Sequence, residues 1–149
     1  MTDSVTVLAC QIDVPTITTA AERTAHMDRV AAAIDSELTH GGPVDLVVLP
    51  ELGSLDYSRA CFDGIGDLAE PLEASPTIDR LGKVAQKHVV AILAGMARSD
   101  QGSDQGSDQG RDQGQGPGNS FITQALIAAD GRLAAHYDKL HIAQFGDST

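Results

Sequence analysis

The sequence is poor in aromatic side chains and in positive charge. Aromatic residues make up 3% of the 149 residues and tryptophan is absent, so we expect the core to be aliphatic. Ten Lys and Arg against 21 Asp and Glu give a net charge of −11, which would repel a phosphate backbone or an anionic membrane surface. Neither nucleic acid nor a membrane is therefore an expected partner.

Cysteine and long apolar runs are also scarce. Cys10 and Cys61 are the two cysteines, and neither has CxxC or Cys/His spacing, so the sequence predicts no disulfide framework, no metal site and no cofactor. No apolar run approaches membrane-spanning length, and the N-terminus lacks a signal-peptide pattern. We predict a cytoplasmic protein with a single domain over residues 1–149.

The order of the predicted elements favours an α/β fold. Continuous apolar runs are typical of strands covered on both faces, whereas the spacing of Met27, Val30 and Ile34 predicts an amphipathic helix. Strand, helix and strand in succession imply a parallel pair. The expected strands are 5–12, 46–49, 89–94, 121–129 and 132–137; the expected helices begin after Thr19 and Ser75, with an irregular segment over 52–71 and a turn at Asp130–Gly131.

A four-residue repeat, SDQG, occupies residues 99–118. It has almost no apolar side chain to bury, so we interpret it as a disordered, low-complexity loop within the domain. Its period matches neither the EF-hand loop nor the nine-residue calcium-binding repeat, which argues against a calcium site. We expect no function to reside there.

Two charged residues follow predicted strands. Glu51 comes after the buried strand 46–49, and Lys139 comes after the last strand of the hairpin. In open α/β proteins, ligands bind at the carboxyl ends of parallel strands, although a charge at a strand end is more often simply solvated. Position alone therefore leaves both interpretations open.

An ordered set of motifs surrounds these residues: ACQIDVP at 9–15, DLVVLPELGSLDYS at 45–58 and YDKLH at 137–141, with Asn119–Ser120 and Asp130–Gly131 between the last two. Together they resemble the nitrilase superfamily of carbon–nitrogen hydrolases. The resemblance covers nearly the whole chain apart from the repeat. It implies a four-layer α-β-β-α sandwich, of which this chain would be about the first half.

The resemblance also implies residue roles. Members hydrolyse nitriles, amides or N-carbamoyl compounds with a Glu, Lys and Cys triad, and Glu51 and Lys139 match its first two members. Tyr57 matches a tyrosine that can line the substrate pocket, and His141 matches a histidine that would hold the lysine loop through a hydrogen bond. The implied ligand is a small-molecule amide, nitrile or N-carbamoyl substrate.

The family's nucleophilic cysteine has no counterpart in this sequence. In relatives it follows the lysine motif, and the sequence stops at Thr149 before such a segment. Cys10 is expected to be a small buried residue, and nothing near Cys61 resembles the nucleophile turn. We therefore expect the chain to be inactive alone and to associate with further copies of itself or with a missing C-terminal half, which would cover its open sheet.

Three functional interpretations stay open at this stage. The first is an amidase-type hydrolase whose sequence is interrupted here. The second is a non-catalytic remnant or interaction subunit that retains Glu51 and Lys139. The third is a small α/β ligand-binding domain with a parallel, flavodoxin-like sheet, against which the absence of a glycine-rich phosphate-binding motif argues.

Overall fold

The computed structural model describes residues 4–100 and 119–140. They form a five-stranded sheet in the order β1-β2-β3-β4-β5. The strands are β1 (Val7–Ala9), β2 (Leu46–Val48), β3 (Ala91–Ser99), β4 (Ser120–Ile127) and β5 (Leu133–Asp138). The helices are α1 (Ala20–His40), α2 (Arg59–Asp63), α3 (Ile65–Leu68) and α4 (Pro76–His88), with a 3₁₀ turn at Leu72–Ala74.

The sheet is mixed. Strands β1, β2 and β3 are parallel to one another, whereas β4 is antiparallel to both β3 and β5. The α/β expectation is thus confirmed, while the all-parallel sheet required by the third interpretation does not form. The C-terminal ends of β2, β3 and β5 therefore all lie at the same edge of the sheet.

The two long helices begin at the predicted caps. Thr19 and Glu22 form a reciprocal capping box at the start of α1, and the Ser75 hydroxyl accepts from Ile78 N at the start of α4, with Pro76 in the first turn. Each side chain satisfies a backbone N–H that the first helical turn leaves without a partner. Local sequence therefore determines where both helices start.

Helices α1 and α4 pack side by side on one face of the sheet. The core between them is aliphatic, as expected, and also holds methionine; it contains Met27, Val30, Ile34, Val47, Leu81, Val84, Ile92, Met96, Ala125 and Ile127. Successive strand residues point to opposite faces, so Leu46, Val48 and Leu93 face away from these helices. These three side chains are only partly covered.

In the part of the chain that the structure describes, the other face is covered near the ends of β2 and β3. There the segment 49–74 crosses the sheet and encloses a second core cluster that includes Leu52, Leu55, Leu68, Ala97 and Ile122. The expectation that residues 52–71 are irregular is wrong in part, because α2 and α3 form within them. A Ser58 hydroxyl that accepts from Cys61 N caps α2.

Several strand boundaries also differ from expectation, above all in β3 and β1. β3 does not begin at Val89, because this residue ends α4 in a left-handed conformation with φ 55° and its side chain is 76% exposed. β3 instead extends to Ser99, the first residue that we had assigned to the repeat. β1 is shorter than the predicted strand 5–12, although Cys10 N still donates to Val48 O. Residues 101–118 of the repeat lie outside the described part of the chain.

Candidate functional site

Glu51 is carried by a tight turn directly after β2. Gly53 N donates to Pro50 O at 3.1 Å, which closes the turn, and Leu52 adopts φ +54° within it. A left-handed backbone is costly for a leucine, but the Leu52 side chain is 1% exposed in the second core cluster. Burial of Leu52 therefore offsets the local strain and fixes the turn.

Gly95 on β3 allows this turn to lie directly on the sheet. A Cβ at position 95 would stand 2.8 Å from Glu51 Cα and 2.5 Å from Leu52 N, closer than side chains and backbone approach in proteins. Only glycine leaves that space. Because residue 95 has no Cβ, the turn that carries Glu51 can lie in direct contact with β3.

Lys139 follows β5 at the same sheet edge. Its backbone N–H donates to Ile122 O at 2.8 Å, which continues the pairing of β5 with β4 by one residue. The preceding residue, Asp138, points to the opposite face, where it accepts from both Arg98 Nε at 3.1 Å and Arg98 Nη2 at 2.7 Å. The backbone bond of Lys139 to β4 and the side-chain pair of Asp138 with Arg98 thus both hold the end of β5.

Glu51 and Lys139 meet although 88 residues separate them in the sequence. Lys139 Nζ donates to Glu51 Oε1 at 2.6 Å, with the lysine side chain 35% exposed and the glutamate side chain 42% exposed. The hydrogen bond from Lys139 holds the pKa of Glu51 below its usual value, against the opposing effect of desolvation. Glu51 is therefore a carboxylate at neutral pH.

Tyr57 is the third member of this cluster. Its hydroxyl shares a hydrogen bond with Glu51, and because a carboxylate only accepts, the tyrosine must donate. Desolvation and this bond to Glu51 raise the pKa of Tyr57 to about 12, so the hydroxyl stays protonated. Tyr57 is 47% exposed, so solvent reaches this side of the cluster. His141 lies outside the described residues.

Neither cysteine is close to being a thiolate. Cys61 is fully buried in the second core cluster, and desolvation together with the nearby charge of Asp56 raises its pKa to about 11. Cys10 is half-buried rather than buried as expected, and desolvation raises its pKa too. Both environments favour the thiol form.

Sequence reasoning missed two side chains that support this site. The Nε2 atom of His26 lies 2.9 Å from Gly53 O, at the end of the turn that carries Glu51. Arg98 pairs with Asp138, the residue that precedes Lys139. A lone histidine in an amphipathic helix and an arginine beside a low-complexity repeat gave no signal by themselves, since their partners lie far away in the sequence.

Across residues 4–100 and 119–140, no group of three His, Cys, Asp or Glu side chains is arranged to hold a metal ion. None of the helices in these residues is both long enough and apolar enough to cross a bilayer.

Comparison with known proteins connects this geometry to a family. The family model described as carbon–nitrogen hydrolase matches residues 5–148. A search of curated proteins finds no match. Among solved structures, the carbon–nitrogen hydrolase from Helicobacter pylori G27 is similar with a TM-score of 0.62 and 20% identity; the match covers 94% of this chain and 41% of that one.

Two further structures share the fold. Nit3 of Saccharomyces cerevisiae, a member of branch 10 of the nitrilase superfamily, has a TM-score of 0.64 and 20% identity over 89% of this chain and 44% of its own. An N-terminal amidase has a TM-score of 0.70 and 13% identity over 93% of this chain and 28% of its own. The chain thus spans less than half the length of these structures. From the family match and the shared fold, we conclude that the chain belongs to the carbon–nitrogen hydrolase family.

Proposed function

We propose that Glu51 and Lys139 are two catalytic residues of a hydrolase that cleaves non-peptide carbon–nitrogen bonds in small molecules. The observation that carries this proposal is the 2.6 Å contact between Lys139 Nζ and Glu51 Oε1 at the shared edge of β2, β3 and β5. An ion pair with a third or more of each side chain exposed adds little to stability. The presence of this ion pair is better explained by a chemical role, because it lies at a sheet edge where α/β proteins bind ligands.

Glu51 is proposed to be the general base. A thiol is mostly protonated at neutral pH and needs a nearby base to become a nucleophile. With an amide substrate, Glu51 would take the thiol proton as sulfur bonds to the substrate carbon, and would return it to the nitrogen as the carbon–nitrogen bond breaks. Water then hydrolyses the resulting thioester to a carboxylic acid and restores the thiol. The pair with Lys139 keeps Glu51 ionised and ready for the first step.

Lys139 is proposed to stabilise the negative charge that develops on the substrate oxygen. Attack on a carbonyl moves an electron pair onto that oxygen, and a fixed ammonium beside it favours the transition state over the neutral ground state. The pairing of Lys139 N with Ile122 O limits how far the ammonium can move. Tyr57, through its bond to Glu51, would orient the carboxylate.

The thiol in this scheme has to come from other residues than Cys10 and Cys61. Cys61 is sealed in a core cluster, and Cys10 N pairs with Val48 O at the β1 side of the sheet. We propose that the nucleophile is supplied by a further segment of protein that packs over Glu51 and Lys139. The substrate class is an amide, a nitrile or an N-carbamoyl compound, in a cytoplasmic protein.

The state of the two cysteines favours one second candidate. A chain whose two thiols both lie in environments that favour the protonated form can act as a non-catalytic subunit that retains the pair. The two candidates differ in thiol-dependent turnover. They also differ in whether the native polypeptide contains further cysteines.

One experiment separates them. The intact mass of the protein from its native source is measured first, and ammonia release from a panel of amides, nitriles and N-carbamoyl amines is then assayed on that protein, on Glu51→Gln and on Lys139→Met. A mass above 15.5 kDa, with turnover that a thiol alkylator abolishes and that falls at least 100-fold in both variants, supports the hydrolase. A 15.5 kDa protein without turnover supports the subunit, and turnover insensitive to Glu51→Gln contradicts the hydrolase mechanism.

A further inference from the structure

A buried histidine that takes no part in the proposed chemistry lies behind the turn that carries Glu51. His26 belongs to α1 and is 2% exposed, and its Nε2 atom is 2.9 Å from the carbonyl oxygen of Gly53. Because a carbonyl oxygen only accepts, Nε2 must hold a proton and donate it. The ring thus links α1 to the last residue of the 50–53 turn.

The turn needs such an external support because its own backbone is strained. Leu52 holds φ +54°, and the bond from Gly53 N to Pro50 O is the turn's internal hydrogen bond. Residues in this region persist when their surroundings over-determine them. Here Gly95 lets β3 contact the turn directly, and His26 binds Gly53 at the end of the turn.

We propose that His26 is a positioning residue, whose Nε2–H bond to Gly53 O keeps the turn in the conformation that brings the Glu51 carboxylate against Lys139. Two bonds form the route from His26 to the site: Nε2 to Gly53 O, and Gly53 N to Pro50 O, with Glu51 between them in the chain. The inference rests on the proposed function for the use made of Glu51. The contacts that support it do not depend on turnover.

A purely structural role would have a different signature. Removal of the donor leaves the buried Gly53 carbonyl without a partner, so stability falls in either case. A positioning role further requires that the turn relaxes and that Glu51 moves away from Lys139. The Glu51 carboxylate reports this directly, because the hydrogen bond from Lys139 is the largest cause of its lowered pKa.

The test is a titration of the Glu51 side-chain carboxyl by ¹³C NMR in four proteins. These are the unaltered chain, His26→Leu, His26→Gln and Ile34→Ala. Leucine fills the space without a donor, whereas the amide nitrogen of glutamine can reach the position of Nε2. Ile34 lies on the same helix, 3% exposed, in the core between α1 and α4, so its truncation destabilises the protein without touching the turn.

The proposal expects the pKa of Glu51 to rise towards the ordinary glutamate value in His26→Leu, and to stay near that of the unaltered chain in His26→Gln and Ile34→Ala. An unchanged pKa in a folded His26→Leu protein, or an equal rise in Ile34→Ala, would overturn it. The ring nitrogens of His26 in the unaltered chain give a second measurement that needs no variant. A protonated Nε2 is expected, and an unprotonated Nε2 would refute the bond to Gly53.

These readouts are separate from catalysis. If the titrations behave as expected and the native protein still shows no turnover, the positioning role stands and the hydrolase proposal fails. If turnover depends on Glu51 while the pKa of Glu51 is unchanged in His26→Leu, the hydrolase proposal stands and the positioning role of His26 fails.

Discussion

The Nζ atom of Lys139 lies 2.6 Å from Glu51 Oε1, and this single contact joins the end of β2 to the end of β5 across β3 and β4. Two such ends meet because β4 runs antiparallel to β3 and β5 runs antiparallel to β4, so β5 returns the chain to the edge where β2 ends. The mixed topology thereby allows residues 88 positions apart to form one site.

Lys139→Met should raise the pKa of Glu51. The lysine side chain is the largest cause of the lowered value, so without it the carboxyl group titrates nearer its ordinary range. The pair contributes stability above the unfolded-state pKa of glutamate, and that contribution is lost as pH falls through the lower folded-state pKa. A ¹³C titration of Glu51 checks the shift; an identical curve in Lys139→Met would show that the pair does not form in solution. Arg132→Met, an exposed change at the opposite end of β5, should leave the curve in place.

Gly95→Ala should destabilise the protein by about 1–3 kcal/mol, since the added methyl group has to displace the turn that carries Glu51. The matched control is Gly66→Ala in α3, where a Cβ meets nothing within 4 Å and a helical alanine should be neutral or stabilising by up to about 1 kcal/mol. Urea unfolding of both variants measures the difference. Equal stability of the two would mean that the turn lies further from β3.

The sequence predicts most of the secondary structure because that part of the fold is local. Thr19 and Ser75 cap their helices through contacts within three residues, and the Asp130–Gly131 turn has the positive φ at glycine that its type requires. The predicted start of β3 at Val89 was wrong, and the cause is again local. An apolar run does not reveal that its first residue ends a helix in the left-handed region.

The supports of the site were harder to predict than the site itself. Glu51 and Lys139 stand in motifs that can be read along the chain, whereas His26 and Arg98 act on partners 27 and 40 residues away. Gly95 was also missed, because the predicted strand 89–94 ended before it; a glycine inside a strand often marks close approach of another backbone. The partner of that glycine could not be named without the fold.

Asp138→Ala should cost about 1–3 kcal/mol of stability. Asp138 accepts two bonds from Arg98 and one from the Thr123 hydroxyl at 2.5 Å, with its side chain 25% exposed, and bonds to charged groups are worth more than neutral ones. Arg59→Ala is the control, because its pair with Asp63 spans 3.9 Å at the fully solvated surface. Thermal or urea unfolding compares the two variants, and a negligible loss in Asp138→Ala would contradict the clamp.

The same carboxyl makes the stability of the sheet edge depend on pH. Desolvation would raise the pKa of Asp138, but the bonds from Arg98 and Thr123 outweigh it and the folded-state pKa lies below the ordinary value. Its contribution is present above the unfolded-state pKa and is lost as pH falls through the folded one. Unfolding followed from neutral to acidic pH should show a smaller acid-induced loss in Asp138→Ala than in the unaltered chain. A parallel pH dependence in both proteins would exclude Asp138 as a source.

The sheet face opposite α1 and α4 should determine the association state of the 149-residue chain. Leu46, Val48 and Leu93 are partly covered there, and Val7 on the edge strand is 49% exposed, so water contacts a continuous apolar surface beyond the 49–74 segment. Such surfaces favour burial against another protein layer. Gel filtration is expected to give a species larger than a 15.5 kDa monomer, and Val48→Lys should shift it towards the monomer while Val89→Lys, on an exposed helix end, should not. A stable monomer that does not aggregate would refute this, because the described face would then need no cover.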